Sequence, residues 1–445
     1  MQGWADGIDL QQKTITIEES VVDHSVGKAQ TDPDPYHHRS LTDIQMERFG
    51  KRREGKRFDI AYDKLVVAVG CYSQTFGTKG VKEHAYFMKD VGDARRIRKR
   101  VLECFEMASL PTTSSRLREQ LLRFAIVGGG PTGMEFAAEL SDLVHEDLSK
   151  IYPHLVQMVR ITVHDVAPTV LSMFDDRLSQ YAMKTFSRQG ITIKTKSHIQ
   201  ELRRGLPHAS DDQLNEDIAD AQGCYTITTK EEGKIGIGMC IWSTGNMMNP
   251  FVKRSLSKTH GLPSSANIVN GGHSSESPVE DWNIEKHPRS GAIVVDDQLR
   301  VQLVSQTTSP SSKPDEQEVP TTRARLNDVF ALGDNASLMS GPLPATAQTA
   351  NQQAVWLAKQ LNKGSLDKGE IEHQPKFAFH NLGVMAYLGT KRAIVDLPGA
   401  DISGRMAWLI WRGAYVSKSI SWRNRILIPT YWILNWLFGR DITRF

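Results

Sequence analysis

The chain has 445 residues, 24% of them charged, and a formal net charge of +3. This length supports two or three domains with sizeable cores, and the composition is that of an ordinary globular α/β protein. The small net charge and the lack of a nucleic-acid motif argue against nucleic-acid binding. Four scattered cysteines without C-x-x-C argue against a disulfide framework or a redox-active dithiol, and the histidine spacing predicts no metal site.

The first part of the chain predicts β-structure. Residues 7–10 and 13–17 alternate in the manner of a hairpin. Residues 58–70 predict a pair of strands that ends at a glycine. Residues 65–69, LVVAV, are continuously apolar, which predicts a strand covered on both faces. A charged helix is predicted over residues 91–108, followed by a short linker.

Residues 123–140, RFAIVGGGPTGMEFAAEL, carry the clearest chemical motif. An apolar run at 124–127 predicts a buried parallel strand that leads directly into G-x-G-x-x-G, formed by Gly128, Gly130 and Gly133. Gly128 permits the tight turn, Gly130 lets a pyrophosphate approach the backbone, and Gly133 lets the next helix pack closely. A glycine-rich turn alone is a weak signal. A strand before it and a helix after it favour a dinucleotide site, with the pyrophosphate at the helix N-terminus.

The second strand of this βαβ unit is predicted over residues 160–165 and ends at Asp165. An acid in this place accepts hydrogen bonds from the adenosine ribose and repels a 2′-phosphate, so we expect NADH to be preferred over NADPH. The alternative is an ordinary helix cap or surface residue. The distance from Gly133 exceeds the usual ~20 residues, which predicts a helical extension between them.

Between the two chemical motifs, the sequence predicts a helix over 175–188, a strand over 191–194 and a strand with a tight turn over 239–245. Residues 208–222 are polar and acidic, which is typical of an exposed insertion. The Ser-, Pro- and Gly-rich stretches 255–290 and 305–322 are expected to be partly disordered.

A second motif, VFALGDNA, lies at residues 329–336. Its buried strand delivers Asp334 at the carboxyl end, where ligands bind in open α/β sheets. Asp334 can accept a hydrogen bond from a ribityl hydroxyl, or it is simply a turn aspartate. A helix is predicted over 347–361, with Gln348 and Gln352 on one face. Such paired amides bind a small polar ring, or they form an ordinary wet helix surface.

The tail differs in character. Five of the nine tryptophans lie in the last forty residues, and from Arg405 onward there are seven Arg or Lys and one acid, Asp441. Residues 426–438, ILIPTYWILNWLF, are uncharged but too short to span a bilayer, and Pro429 is predicted to start their helix. Aromatics with flanking cations are typical of a helix that lies in the membrane interface. The alternative is an apolar helix packed against the protein body or a second copy of the chain.

Together the motifs IVGGGPTGMEFAAEL, IWSTGN, VFALGDNA, AQTANQQA and NLGVMAYLGTKRAIVDLPG resemble the type II (alternative) NADH:quinone oxidoreductases. The closing YWILNWLFGRDITRF resembles the fungal mitochondrial form. The resemblance implies non-covalent FAD, no metal and no proton pumping. It implies that NADH reduces the flavin and that ubiquinone reoxidises it, in a reaction that rotenone does not inhibit. It places the protein at the mitochondrial inner membrane and leaves open which face of that membrane it occupies.

Site residues follow from this resemblance by position. No acid–base or nucleophilic residue is required, because the cofactors carry the redox chemistry. The resemblance assigns Gly128, Gly130, Gly133 and Asp165 to NADH, Gly333 and Asp334 to the flavin, Gly245 to cofactor binding, and Gln348, Gln352 and Tyr415 to the quinone.

The predicted fold is α/β, with two Rossmann-like domains of the FAD/NAD-linked reductase type and a C-terminal amphipathic membrane-binding region. The first domain lacks an opening G-x-G-x-x-G, so we expect the chain to lack about 100 residues of a first βαβ unit and to hold FAD weakly. Two rivals stay open: a non-catalytic nucleotide-binding remnant at the membrane, and a soluble flavin-dependent NAD(P)H reductase. The predicted domains are 1–120 with 248–385 for FAD, 121–247 for NADH, and 386–445 for the membrane, which is contacted through 405–445.

Overall fold

The computed structural model describes residues 3–19, 56–207, 223–270, 281–305, 322–367, 373–419, 421–440 and 442. The predicted insertion at 208–222 lies outside the described residues, as does most of 305–322. The described chain packs into two compact units. The first unit takes its residues from 3–19, 56–72 and 246–381, and the second takes them from 73–245 and 382–442.

The secondary structure of the described residues mixes strands and helices along the whole chain. The strands are β1 (Gly3–Asp9), β2 (Thr14–Glu19), β3 (Arg57–Ala61), β4 (Leu65–Val67), β5 (Cys71–Ser73), β6 (Tyr86–Phe87), β7 (Arg123–Val127), β8 (Arg160–His164), β9 (Ile191–Lys194), β10 (Ile199–Arg204), β11 (Tyr225–Thr229), β12 (Gly233–Ile237), β13 (Met239–Trp242), β14 (Asn246–Met248), β15 (Lys258–His260), β16 (Ala266–Asn270), β17 (Asp281–Ile284), β18 (Ile293–Val295), β19 (Arg300–Ser305), β20 (Arg323–Ala331), β21 (Ala336–Leu338), β22 (Val384–Gly389), β23 (Arg392–Leu397) and β24 (Ala400–Gly404). The helices are α1 (Val81–His84), α2 (Val91–Ser109), α3 (Ser115–Leu121), α4 (Pro131–Asp142), α5 (Ser149–Ile151), α6 (Pro153–Val156), α7 (Asp176–Arg188), α8 (Pro250–Ser255), α9 (Ala347–Lys363), α10 (Arg405–Lys418) and α11 (Trp422–Phe438).

The first unit contains a three-stranded antiparallel sheet and an eight-stranded sheet. The hairpin predicted at the start of the chain is confirmed, because β1 pairs with β2 and β2 with β3. The strands β3 and β4 do not pair with each other, since β4 instead runs parallel to β20 in the larger sheet. The stretch 255–290, expected to be partly disordered, contributes β15, β16 and β17 to this sheet.

The strand β4 is covered on one face only, so the prediction of two covered faces is wrong. Leu65 and Val67 are buried in the core of the first unit, whereas Val66 is 40% exposed. Successive side chains of a strand point to opposite faces, and here only one of the two faces meets the core.

The second unit is built on a five-stranded parallel sheet in the order β6-β13-β7-β8-β9. The strand β7 lies in the middle, with Val127 opposite Trp242 of β13 on one side and opposite His164 of β8 on the other. Its residues 124–127 are all buried, as a parallel strand covered on both faces requires.

Residues 73–120 lie in the second unit, whereas the sequence analysis assigned them to the FAD domain. The reason is that β6 pairs with β13, and that α2 shares a hydrophobic core with α4 through side chains such as Phe105 and Met134. The linker predicted after α2 is short because the hydroxyl of Ser114 accepts a hydrogen bond from the amide of Leu117 and so starts α3.

The helix after the glycine turn is extended as predicted. Helix α4 continues into a π-helical segment, Leu143–Leu148, and then into α5 and α6 before β8 begins. Short π-helical segments within α-helices occur frequently at functional sites.

The C-terminal part of the second unit is an antiparallel meander, β22-β23-β24, followed by α10 and α11. Helix α11 begins at Trp422, because the Ser421 hydroxyl accepts a hydrogen bond from the amide of Asn424. Pro429 therefore lies inside the helix, and the prediction that it starts the helix is wrong. No helix of the described residues is both long and apolar enough to cross a bilayer.

Candidate functional site

The glycine turn adopts the geometry that its sequence requires. Gly128 has φ +118°, and its amide donates a hydrogen bond to the carbonyl of His164 at 2.8 Å. A Cβ atom on Gly133 would lie 2.0 Å from the carbonyl oxygen of Gly128, so only glycine allows α4 to pack this closely. A Cβ atom on Gly130 would meet no atom within 4 Å, which leaves open space beside the start of α4.

Asp165 lies beside this turn at the carboxyl end of β8. Its Oδ2 accepts a hydrogen bond from the amide of Gly129, and its Oδ1 accepts one from the amide of Ala167 at 2.7 Å. The carboxylate therefore holds the turn against the end of the next strand. The structure thus brings together the four residues predicted for NADH, Gly128, Gly130, Gly133 and Asp165.

The residue before Asp165 is a buried histidine, which the sequence did not single out. His164 is 2% exposed, and its Nδ1 lies 2.9 Å from the hydroxyl oxygen of Ser197. Burial, with a smaller contribution from the nearby Lys194, lowers the pKa of His164 to about 4. The imidazole is therefore neutral at physiological pH. One histidine within an apolar strand carries no recognisable signal in the sequence.

Gly245 follows the carboxyl end of β13, the other neighbour of β7. It has φ +70°, and the ring of Phe76 lies over it. Two residues earlier, the Ser243 hydroxyl donates a hydrogen bond to the carbonyl of Val127 at 3.0 Å. Gly245 therefore shares the sheet edge that carries the glycine turn.

In the first unit, Gly333 and Asp334 follow β20, as predicted. Gly333 has φ +73°, and its amide donates a hydrogen bond to Oε1 of Gln353 at 2.7 Å. Oδ2 of Asp334 accepts a hydrogen bond from the Cys71 thiol at 3.2 Å. Both residues line a cavity of about 140 Å³. Other walls of this cavity come from Cys71, Asn246, Met248, Ala292, Thr349 and Gln353.

The chemistry of this cavity fits the ribityl and ring end of FAD. Asp334 offers a carboxylate acceptor at the carboxyl end of a strand, the usual position for a ligand of an open sheet. A Cβ atom on Gly333 would lie 3.3 Å from Cβ of Ala350, so glycine keeps the turn close to the start of α9.

Gln348 and Gln352 share one face of α9, as predicted. Nε2 of Gln352 lies 3.4 Å from Oε1 of Gln348. The Gln352 amide also donates to the carbonyl of His380 at 2.8 Å and accepts from the amide of His380 at 3.0 Å. Neither glutamine lines the cavity, whereas Gln353, which the sequence analysis overlooked in the same motif, does so.

Tyr415 belongs to an aromatic row in the second unit. Its ring centroid lies 4.7 Å from that of Trp411, which in turn stacks on Tyr387 at 5.2 Å. Oε1 of Glu135, in α4, accepts hydrogen bonds from the Tyr387 amide at 2.9 Å and from Nε1 of Trp411 at 3.3 Å. Burial raises the pKa of Glu135 to about 7, although both hydrogen bonds lower it. Glu135 lies within the glycine-rich motif at 123–140, but its local sequence does not predict this role.

Two arginine side chains hold the terminal helices α10 and α11 in place. The Arg412 guanidinium lies 4.3 Å from the ring centroids of both Trp408 and Trp432, which joins α10 to α11. Arg440 pairs with Asp147 at 3.5 Å and with Glu139 at 3.5 Å, beyond the end of α11. None of the α11 side chains is buried.

These features define a flavoprotein reductase of the pyridine nucleotide class. The sequence pattern of the pyridine nucleotide-disulphide oxidoreductases matches residues 10–269, and that of the NDH2 C-terminal domain matches residues 381–441. Within this class, the chain belongs to the family of alternative NAD(P)H-ubiquinone oxidoreductases, as its relatives show.

Two relatives and one solved structure illustrate the likeness. A probable NADH dehydrogenase of Dictyostelium discoideum is 36% identical over 391 residues, covering 88% of this chain and 71% of the relative. The external alternative NAD(P)H-ubiquinone oxidoreductase B1 of Solanum tuberosum mitochondria is 32% identical over 442 residues, covering 87% and 73%. The structure of NDH2 from Plasmodium falciparum in complex with NADH has a TM-score of 0.71 at 19% identity, covering 100% of this chain and 85% of that chain, which is a likeness of fold. These relatives leave the fungal form a prediction.

Proposed function

We propose that this protein is a non-proton-pumping NADH:ubiquinone oxidoreductase that uses FAD and acts at the mitochondrial inner membrane. The observation that carries the proposal is the glycine turn of the second unit, with Asp165 hydrogen-bonded to Gly129 beside open space at Gly130. Two relatives of the chain are named as mitochondrial NAD(P)H-ubiquinone oxidoreductases.

The second unit binds NADH in this proposal. Gly130 and the N-terminus of α4 receive the pyrophosphate, since exposed amides and the helix dipole favour a negative charge there. Asp165 accepts a hydrogen bond from the adenosine ribose through lone pairs that its two backbone contacts leave available. The carboxylate also repels a 2′-phosphate, which makes NADH the better donor.

The first unit holds the flavin. A flavin bound beside Gly333 and Asp334 would supply the redox chemistry between NADH and the quinone. Asp334 accepts a hydrogen bond from a ribityl hydroxyl. Gly333 keeps this turn close to the start of α9. Gln348 and Gln352 are the residues proposed to contact the quinone on α9. Tyr415, on α10 of the second unit, is proposed separately as an aromatic contact for quinone.

The helices α10 and α11 bind the membrane surface rather than span it. Large apolar side chains of α11 are exposed, with Trp422 at 76%, Trp436 at 74% and Phe438 at 82%. Basic residues flank them at Arg405, Lys418, Arg423 and Arg425. Exposed aromatics next to cations are the composition of an interfacial helix that binds anionic lipid.

The proposal is tested by following NADH oxidation with a short-chain ubiquinone, in the presence and absence of added FAD. We expect quinone-dependent oxidation, and the flavin content of the purified protein measures how tightly FAD is held. A protein that binds NAD+ but oxidises no NADH with added FAD and quinone would be the non-catalytic remnant. Turnover with a small disulfide and none with quinone would instead indicate the soluble reductase.

A further inference from the structure

We infer that Phe76 is a specificity-determining contact for the nicotinamide ring, which deepens the proposed function and rests on it. Phe76 is one of the few non-glycine residues of the described chain with positive φ, at +53°. Its side chain is 62% exposed, although phenylalanine is among the residues most often buried. A bulky residue in the left-handed region is uncommon, and such strain persists where the surroundings enforce it, often at ligand sites.

The surroundings of Phe76 hold it at the carboxyl end of β13. The Gln74 amide donates a hydrogen bond to the carbonyl of Gly245 at 3.3 Å, and Nε1 of Trp242 donates to the carbonyl of Gln74 at 2.9 Å. A turn follows, in which the Thr78 amide donates to the carbonyl of Thr75 at 3.0 Å. The loop is therefore pinned on both sides of the exposed ring.

Gly245 lies directly against the ring of Phe76. A Cβ atom built on Gly245 would lie 2.7 Å from Cζ of Phe76, so the ring occupies the space that any other residue would fill. Glycine at this position and the left-handed backbone of Phe76 together present one exposed aromatic face at the sheet edge.

The strand order places the nicotinamide half of a dinucleotide at this edge. The pyrophosphate belongs at the glycine turn after β7, and the adenosine ribose belongs at Asp165 after β8. In the order β6-β13-β7-β8-β9, the neighbour of β7 opposite to β8 is β13. The rest of the dinucleotide therefore extends over the end of β13, where Gly245 and Phe76 lie.

An aromatic ring at this point suits the nicotinamide ring. Aromatic pairs stabilise each other in offset or edge-to-face arrangements, and the positive ring of NAD+ adds attraction to an aromatic face. The contact distinguishes a whole dinucleotide from ADP-ribose, which has the same adenosine and pyrophosphate and lacks the nicotinamide.

The experiment compares the binding of NAD+ and ADP-ribose to the intact protein and to Phe76→Gly by calorimetry. We expect Phe76→Gly to weaken NAD+ binding roughly 3- to 10-fold and to change ADP-ribose binding less than 2-fold. The thermal midpoint should not fall, because glycine adopts positive φ without strain. The KM for NADH should rise, and the KM for quinone should stay unchanged. The control is Leu110→Ala, at another exposed apolar side chain of the same unit. It should leave the binding of both NAD+ and ADP-ribose unchanged.

Phe76→Tyr should retain the binding of NAD+, since it keeps the aromatic face. Equal weakening of both ligands, or no change in either, would overturn the role of Phe76 and leave the proposed function standing. Failure of the unmutated protein to bind ADP-ribose and NAD+ would overturn the proposed nucleotide site, and the role of Phe76 with it.

Discussion

The carboxylate of Glu135 accepts a hydrogen bond at 2.9 Å from the backbone amide of Tyr387, 252 positions away in the chain. The same oxygen accepts the indole N–H of Trp411. One partly buried acid thus joins the nucleotide-side helix α4 to the meander strand β22 and to helix α10. Burial, with a smaller contribution from the neighbouring carboxylate of Glu139, raises the pKa of this acid to about 7.

The raised pKa of Glu135 predicts a pH-dependent stability. Below its ordinary pKa near 4.5 the side chain is protonated in both the folded and the unfolded chain, and its folded-state cost is absent. As pH rises towards 7 the unfolded chain loses the proton first, so the folded protein loses stability relative to Glu135→Gln. We expect a difference on the order of 2 kcal/mol, discounted for partial exposure, to develop between pH 5 and pH 8.

Urea unfolding of the two proteins across this pH range measures the effect. Glu119→Gln, at an exposed carboxylate of the same unit, is the matched control. Stability curves of the protein and of Glu135→Gln that stay parallel from pH 5 to pH 8 would show that Glu135 does not titrate in this window.

The glycine turn predicts different results for two alanine substitutions. Gly133→Ala places a methyl group 2.0 Å from a backbone oxygen, so α4 must shift, at a cost of about 1–3 kcal/mol and with loss of NAD+ binding. Gly130→Ala meets no atom within 4 Å and has φ −74°, so the fold should tolerate it. NAD+ binding should weaken in both variants. In Gly130→Ala the reason is that the new methyl group occupies the space proposed for the pyrophosphate. Melting temperatures and calorimetry separate the two effects, and an unstable Gly130→Ala would contradict the assignment of that space.

The proposed role of Asp165 predicts the choice of donor. The intact protein should prefer NADH, and Asp165→Gln should narrow the preference, since a neutral amide no longer repels the 2′-phosphate. The ratio of kcat/KM for NADH and NADPH measures the effect. Asp176→Asn, an exposed acid of the same unit, should leave the ratio unchanged. If NADPH is the better donor of the unmutated enzyme, the assignment of Asp165 is wrong.

The exposed face of α11 predicts how the protein binds lipid. Trp436→Glu replaces a side chain that is 74% exposed, so it should leave the fold intact. It should weaken binding to anionic vesicles roughly tenfold or more, because it removes apolar area and adds a negative charge. Vesicle flotation measures this loss, with Val91→Glu, at another exposed apolar residue, as control. Equal binding by both variants would indicate that α11 faces protein instead.

Local patterns in the sequence predicted the parts of the molecule that depend on neighbours in the chain. The turn at Gly128 follows an apolar strand directly, and steric constraints at each glycine are local, so spacing alone identified it. The position of Asp334 after a buried strand was predicted for the same reason. The start of α11 was missed because the capping serine at Ser421 was overlooked in favour of Pro429.

Contacts between distant segments could not be predicted in this way. The missed residues, Gln353, His164, Glu135 and Phe76, have ordinary types in ordinary local sequence. Their roles come from Gly333, Ser197, Tyr387 and Gly245, which lie far from them in the chain. The burial that shifts the pKa of Glu135 arises only when the meander packs against α4.

The sequence by itself determined the class of protein, the dinucleotide turn and the aromatic, basic composition of the tail, because each is encoded in residues a few positions apart. The tertiary structure alone decided that residues 73–120 pack with the nucleotide unit, that β4 exposes one face, and which side chains line each site. Backbone turns and helix faces follow from short-range sterics and periodicity. Burial, long-range pairing and the resulting electrostatics depend on which distant segments share a core.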